Sequence, residues 1–333
     1  VNKFLIGLLV TLLVTNQALA SSNVVQQGTG LPISITNSNE TAATELEQLM
    51  AKDDAAQAEV TKWIQDNNAF AAQGAGESKD ELNRRIMARL SGVRAGYEDF
   101  LRRYPNSAGG HLAYGSFLND IGEEEAAGSQ YGKAAQLDPK NPAAWNNLAN
   151  YYGEHGPLTN AFVDYAKAIE LNPTESVYYQ NLATTVYLYR KDAIAFYHLD
   201  EQQVFDKSLA LYRKAMQLDP DNFPLATDYA QSYYGTRPLR TNDALAAWTN
   251  ALQIAHNDVE REGVYIHLAR IKMIAGRYAE ARVQLDAVTN STYANLKHTL
   301  EHSIIERENK ATNTTTISTN VVIAPTNTPA SDK

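Results

Sequence analysis

Residues 139–173 read PKNPAAWNNLANYYGEHGPLTNAFVDYAKAIELNP. Trp145, Leu148 and Tyr152 are spaced by three and four, which sets them on one face of a helix. Ala161, Tyr165 and Ala168 mark a second helix in the same way. The small residues Ala149 and Ala161 let two antiparallel helices approach closely. Pro173 cannot continue the second helix and begins the turn into the next.

The unit recurs. Pro105, Pro139 and Pro173 lie 34 residues apart. One period earlier the same slots hold His111, Tyr114, Gly115, Leu118, Ala127, Tyr131, Ala134 and Pro139. A third copy starts at Tyr179, Leu182, Ala183 and Val186, but its ending, Ser208, Tyr212, Ala215 and Pro220, arrives thirteen residues late. Asp200 and Gln203 form a capping pair for its second helix. A fourth copy carries Tyr229, Ala230, Tyr233, Ala244, Trp248 and Ala251. A fifth carries Tyr265, Leu268, Ala269, Gly276, Ala281, Leu285 and Val288, and a capping helix is predicted over 292–308. Upstream, Ser78 and Glu81 form a capping box that opens a helix to Tyr104. Leu46, Leu49, Val60, Trp63 and Ile64 predict an earlier helix over 41–72. Helix pairs this short cannot bury an apolar face alone, so neighbours must stack.

The pattern resembles the tetratricopeptide repeat: a large residue, Leu, a small residue and Tyr on one helix, then small, aromatic, small and Pro on the other. The resemblance covers residues 108–290, with 79–107 as a half unit. It implies an all-α fold, a right-handed α-solenoid of helix-turn-helix repeats. The expected organisation is N-terminal helices and a half repeat over 41–107, then about five repeats and a capping helix over 108–308.

The ends read differently. Lys3, the uncharged run Phe4–Val14 and Ala18-Leu19-Ala20 read as a cleaved signal peptide over 1–20. Eleven apolar residues make a helix of roughly 16 Å, about half a bilayer core. Periplasmic or secreted localisation follows as an expectation, with no stable membrane insertion after signal removal. Residues 21–40 read as a flexible leader, and 309–333, dominated by Thr, Asn, Ala, Pro and Ser, as a disordered tail.

Composition narrows the chemistry. A net charge of −9 disfavours sequence-independent nucleic-acid binding, which needs Lys and Arg to displace phosphate counterions. The absence of cysteine excludes disulfides, thiolate metal sites and a cysteine nucleophile. No catalytic residue, metal site or cofactor is expected. The motif that argues otherwise is His298-Thr299-Leu300-Glu301-His302, an H-x-x-E-H run whose two His lie one turn apart with Glu301 as a possible base. A catalytic zinc needs a third protein ligand, and only 31 residues follow His302. A metal-dependent hydrolase is therefore the alternative reading. A carbohydrate-binding module using Tyr151-Tyr152, Tyr178-Tyr179 and Tyr233-Tyr234 is another.

The family resemblance implies that the first helix of each repeat lines a concave groove. Its inward slots hold Asn146, Asn150, Gln180, Thr184, Thr227 and Gln231, with Tyr187 and Tyr234 a turn further along. Amides both donate and accept, so they can grip the backbone of an extended peptide whatever its side chains. The family's best-known alternative holds a terminal carboxylate with several basic residues, and here only Arg270 stands in those slots. The turns put Asp120, Glu123, Glu124, Glu125 and Glu154 on one edge early in the chain, and Arg190, Lys191, Arg237, Arg240 and Arg277 later. Such an edge could support self-association. The expected function is a non-catalytic protein–protein interaction scaffold or adaptor in the bacterial envelope, binding a protein or peptide partner.

Overall fold

The computed structural model describes residues 40–71 and 74–319, with side chains from 41 to 310. The expected signal peptide, the leader up to 39 and the tail beyond 319 lie outside those residues. Among the described residues there are fourteen α-helices and no strand. The chain divides into two compact units, Val1–Val204 and Phe205–Lys333.

The first unit holds α1 (Glu40–Ala71), α2 (Lys79–Arg103), α3 (Ala108–Asp120), α4 (Glu124–Leu137), α5 (Pro142–His155), α6 (Leu158–Leu171), α7 (Ser176–Leu188), α8 (Arg190–Tyr197) and the start of α9 (Glu201–Leu218). Consecutive helices pair as the periodicity requires: α1 on α2, α3 on α4, α5 on α6. Each start is capped locally. Ser78 and Glu81 close a reciprocal capping box on α2. Ser107, Asn141 and Glu175, again one period apart, accept from the first free N–H groups of α3, α5 and α7.

The core of this unit is aromatic where helices cross and bare where they touch. Tyr97, Phe100 and Phe117 are almost wholly buried, each contributing about 1.5–3 kcal/mol of transfer free energy. A Cβ on Gly115 would sit 2.6 Å from the Tyr131 ring, and one on Gly128 2.7 Å from the Tyr151 ring. Those two positions require glycine for contact, since no side chain fits beneath the rings.

The large residue that opens each repeat acts at its polar tip. His111 Nε2, Trp145 Nε1 and the Tyr179 hydroxyl bond the carbonyls of Pro105, Pro139 and Pro173 at 2.9, 3.0 and 3.2 Å. A carbonyl only accepts, so each side chain donates. The slot thus ties a helix to the proline turn six residues earlier. Trp145 is half-buried.

The insertion in the third repeat contains α8. Phe196 and Tyr197 pack their rings 5.1 and 5.4 Å from Phe162, and Ala193 is buried. His198, at φ 54°, ends the helix in the left-handed region. Asp200 and Gln203 then cap α9 reciprocally at 2.8 and 2.9 Å.

The second unit holds the rest of α9, then α10 (Phe223–Ser232), a 3₁₀ turn (Tyr233–Gly235), α11 (Thr241–Gln253), α12 (Asp258–Ile274), α13 (Tyr278–Asp286) and α14 (Ala294–Thr319). α10 pairs with α11, α12 with α13, and α14 lies against both α12 and α13. Trp248 is 1 % exposed at the centre of one core, while Ile266, Leu285, Tyr293 and Ile304 build a second. Buried Glu262 accepts from Asn290 N, Thr289 N and Thr289 Oγ1 at 2.7–2.9 Å. Those bonds, the Asn290 N–H first, hold its carboxyl below the usual range. α14 runs eleven residues past the expected boundary at 308, so the polar tail begins as helix.

The edge charges are largely taken up locally. Glu123 pairs with Arg94, Arg240 with Asp206 at 2.6 Å, and Arg277 with Glu280 at 2.5 Å. Arg237 bonds the Tyr234 and Thr236 carbonyls. Exposed pairs of this kind contribute little to stability. No helix among the described residues is long and apolar enough to cross a membrane.

Candidate functional site

In the first unit, α5 and α7 carry a short ladder of amides. Asn146, 2 % exposed, donates from Nδ2 to Asn147 Oδ1 at 3.2 Å and accepts at Oδ1 from Asn181 Nδ2 at 3.0 Å. Asn147 and Asn181 are half-buried. Among the described residues, Asn147 Nδ2 and Asn181 Oδ1 have no hydrogen-bond partner, and neither is sealed from solvent. The ladder therefore presents one fixed donor and one fixed acceptor.

The residues expected to line the groove divide around it. Asn146 is the buried strut that orients its neighbours. Asn150 is exposed and accepts from the Tyr165 hydroxyl at 2.7 Å. Gln180 is half-buried, and its carbonyl accepts from the Thr184 hydroxyl at 3.0 Å. Tyr187 lies under the Arg190 guanidinium at 5.5 Å. Asn147 and Asn181, one residue beyond the expected slots, were missed. The signal was present, because they are 34 residues apart on the same helix turn.

In the second unit, Thr227 donates to the Pro224 carbonyl and Gln231 is half-buried. Tyr234 places its hydroxyl 3.1 Å from His267 Nδ1, and Arg270 stands 6.0 Å from the Tyr234 ring centre. His267 stacks flat on Trp248, ring centres 4.0 Å apart and planes within 5°. Burial, and then the Arg270 charge, pull its imidazole down to about 3, so it is neutral at physiological pH. Neither His267 nor Trp248 was expected at the site.

The tyrosine pairs are consumed by packing. Tyr178 and Tyr233 are buried, Tyr151 covers Gly128, and Tyr179 is tied to Pro173. His298 and His302 are exposed on α14, with His302 Nδ1 3.6 Å from Glu306. Neither joins a group of three possible metal ligands among the described residues. The group that does form is Glu124, Glu154 and His155, all exposed. There His155 stacks on Tyr151 at 4.7 Å, donates from Nδ1 to the Tyr151 carbonyl, and reaches Glu124 through Nε2 at 2.8 Å.

The tetratricopeptide-repeat family model matches residues 142–175. Hsp70-Hsp90 organizing protein 2 of Arabidopsis thaliana is 30 % identical over 107 residues, 31 % of this chain and 16 % of that protein. The chain thus aligns with about a sixth of its curated relative. Among solved structures, MamA is 21 % identical, covering 54 % of this chain and 95 % of that one, with a TM-score of 0.42. PilF of Pseudomonas aeruginosa is 17 % identical over 77 % of this chain and 99 % of that one, TM-score 0.48.

Proposed function

We infer, for a chain that belongs to the tetratricopeptide-repeat family, a non-catalytic role as a protein-interaction scaffold that holds an extended peptide segment of its partner. The observation that carries this is the amide ladder. Asn147 Nδ2 can donate to a backbone carbonyl and Asn181 Oδ1 can accept from a backbone N–H, which are the groups an extended peptide leaves unpaired. The buried Asn146 fixes both amides before the peptide arrives, which lowers the ordering cost of binding. Phe4–Val14 and the Ala18-Leu19-Ala20 site support a location in the bacterial envelope after cleavage before Ser21.

Peptides selected from a random display library on the full chain test the reading. Each neutral hydrogen bond contributes roughly 0.5–1.5 kcal/mol, so Asn147→Ala with Asn181→Ala should weaken the selected peptides about five- to hundred-fold. The double variant should melt as the wild type does. Selected peptides that bind it unchanged would refute the groove. For location, N-terminal sequencing of exported protein should read from Ser21, and a cytoplasmic chain retaining residues 1–20 would refute it.

A further inference from the structure

We propose that Glu124, Glu154 and His155 form a zinc site that joins α4 to α5, the second helix of one repeat to the first helix of the next. None of the groove residues takes part, so the site stands or falls separately from the bound peptide.

Glu124 opens α4, and Glu154 and His155 close α5. The His155 ring is held in place before any ion arrives. It stacks on Tyr151, centres 4.7 Å apart and planes within 18°, and Tyr151 in turn covers Gly128 of α4. Its Nδ1 lies 3.1 Å from the Tyr151 carbonyl. A carbonyl only accepts, so Nδ1 carries the hydrogen and the lone pair of the neutral ring is on Nε2. That Nε2 faces Glu124 Oε2 at 2.8 Å. Two acceptors thus meet at hydrogen-bond distance, and a cation between them is what makes the contact favourable. An imidazole that gives one nitrogen's hydrogen to a backbone carbonyl and turns its other nitrogen toward carboxylates has the orientation of a metal ligand.

The charges favour a metal ion over a proton. A proton on Nε2 sets one positive charge against two carboxylates. Glu123, next in the chain, has Arg94, but among the described residues no Lys or Arg pairs with Glu124 or Glu154. A divalent ion balances both. One imidazole nitrogen with two carboxylate oxygens suits zinc, whereas calcium takes oxygen donors alone. The three ligand atoms lie within 4.8 Å of one another. Tetrahedral donors about 2.1 Å from zinc stand roughly 3.4 Å apart. Glu154 is exposed and turns to close the difference, and water takes the fourth position. The ion then clamps the same helix junction at which Tyr151 meets Gly128.

The test titrates the full chain, free of any histidine tag, with zinc chloride at about pH 7.5, where the ligands are deprotonated. Calorimetry counts the ions and NMR follows the histidine ring nitrogens. One equivalent of zinc should bind, shift His155 Nε2 and leave the Nδ1–H in place. Hydrogen exchange should slow in α4 and α5. His155→Phe, which keeps a ring on Tyr151, should weaken zinc about ten-fold or more, as should Glu124→Gln. Without zinc both variants should melt as the wild type does. His298→Ala with His302→Ala should bind zinc as the wild type does. Zinc affinity unchanged in His155→Phe, or lost in the His298/His302 variant, would overturn the assignment. So would calcium binding more tightly than zinc, or no zinc uptake at all, which would leave a protonated ring paired with Glu124 only.

Discussion

Burial acts on acids in the first unit and on a base in the second. Asp53, on α1, is 8 % exposed and is pushed up to about 6 by burial, partly opposed by the Tyr97 hydroxyl donating at 2.9 Å. Asp164, on α6, is likewise raised to about 6 by burial. In the second unit His267 is pulled down to about 3. An acid whose folded pKa is raised contributes stability below its unfolded value near 3.8, lost as pH rises through 6. A base whose folded pKa is lowered contributes stability above 6.5, lost as pH falls toward 3. Between about pH 4 and 6.5 the two units should therefore respond to acid with opposite signs. The same physical cause, loss of hydration, yields opposite behaviour because the charged form is the base of one group and the acid of the other.

The largest way to break this comparison is through the tryptophans. Trp248→Ala should cost about 3–5 kcal/mol, since the ring is almost wholly buried and stacked on His267. Trp145→Ala should cost about 1 kcal/mol, the loss of a half-buried ring and one hydrogen bond to Pro139. Hydrogen exchange read by mass spectrometry should show the first loss in residues 205–319 and the second in 40–204. Equal losses would mean the repeat slots play the same role throughout.

What could be read from the sequence was what is local. The 34-residue spacing, the Ser78 box and the Asp200–Gln203 pair all formed as expected, because caps and turns depend on residues within one helical turn. Asn147 lies one residue past the expected slot at Asn146. On a helix that is a rotation of about 100°, enough to exchange the buried strut Asn146 for the presented amide Asn147. The stack of Trp248 on His267 joins α11 to α12 and left no periodic trace. Of the polar stretch after 308, α14 takes in only the part up to Thr319, as a continuation of a helix already anchored by Leu300 and Ile304, and the rest lies outside the described residues.

The pH contrast sharpens the comparison at a smaller scale. Asp53→Asn should raise the stability of the first unit near pH 7.5 by roughly 2 kcal/mol and flatten its loss between pH 4 and 6. His267→Phe should flatten the acid loss of the second unit between pH 6.5 and 4 and leave the first unaltered. Regional exchange rates against pH check both, and parallel slopes in the two units would contradict the burial argument. Smaller again is Gly128→Ala, expected to cost about 1–2 kcal/mol by pressing a methyl into the Tyr151 ring, with the loss confined to the first unit. A wild-type melting temperature in that variant would show the helices free to part.

The central claim is that the ladder grips peptide backbone. Its most direct test is an N-methyl scan of a selected peptide, titrated against wild type and Asn181→Ala. Methylating the one backbone nitrogen that faces Asn181 Oδ1 should weaken binding about five-fold or more, and that penalty should vanish in the variant. Replacing the peptide's side chains by alanine at the same position should change little. A flat scan, or a penalty of equal size in Asn181→Ala, would contradict the account.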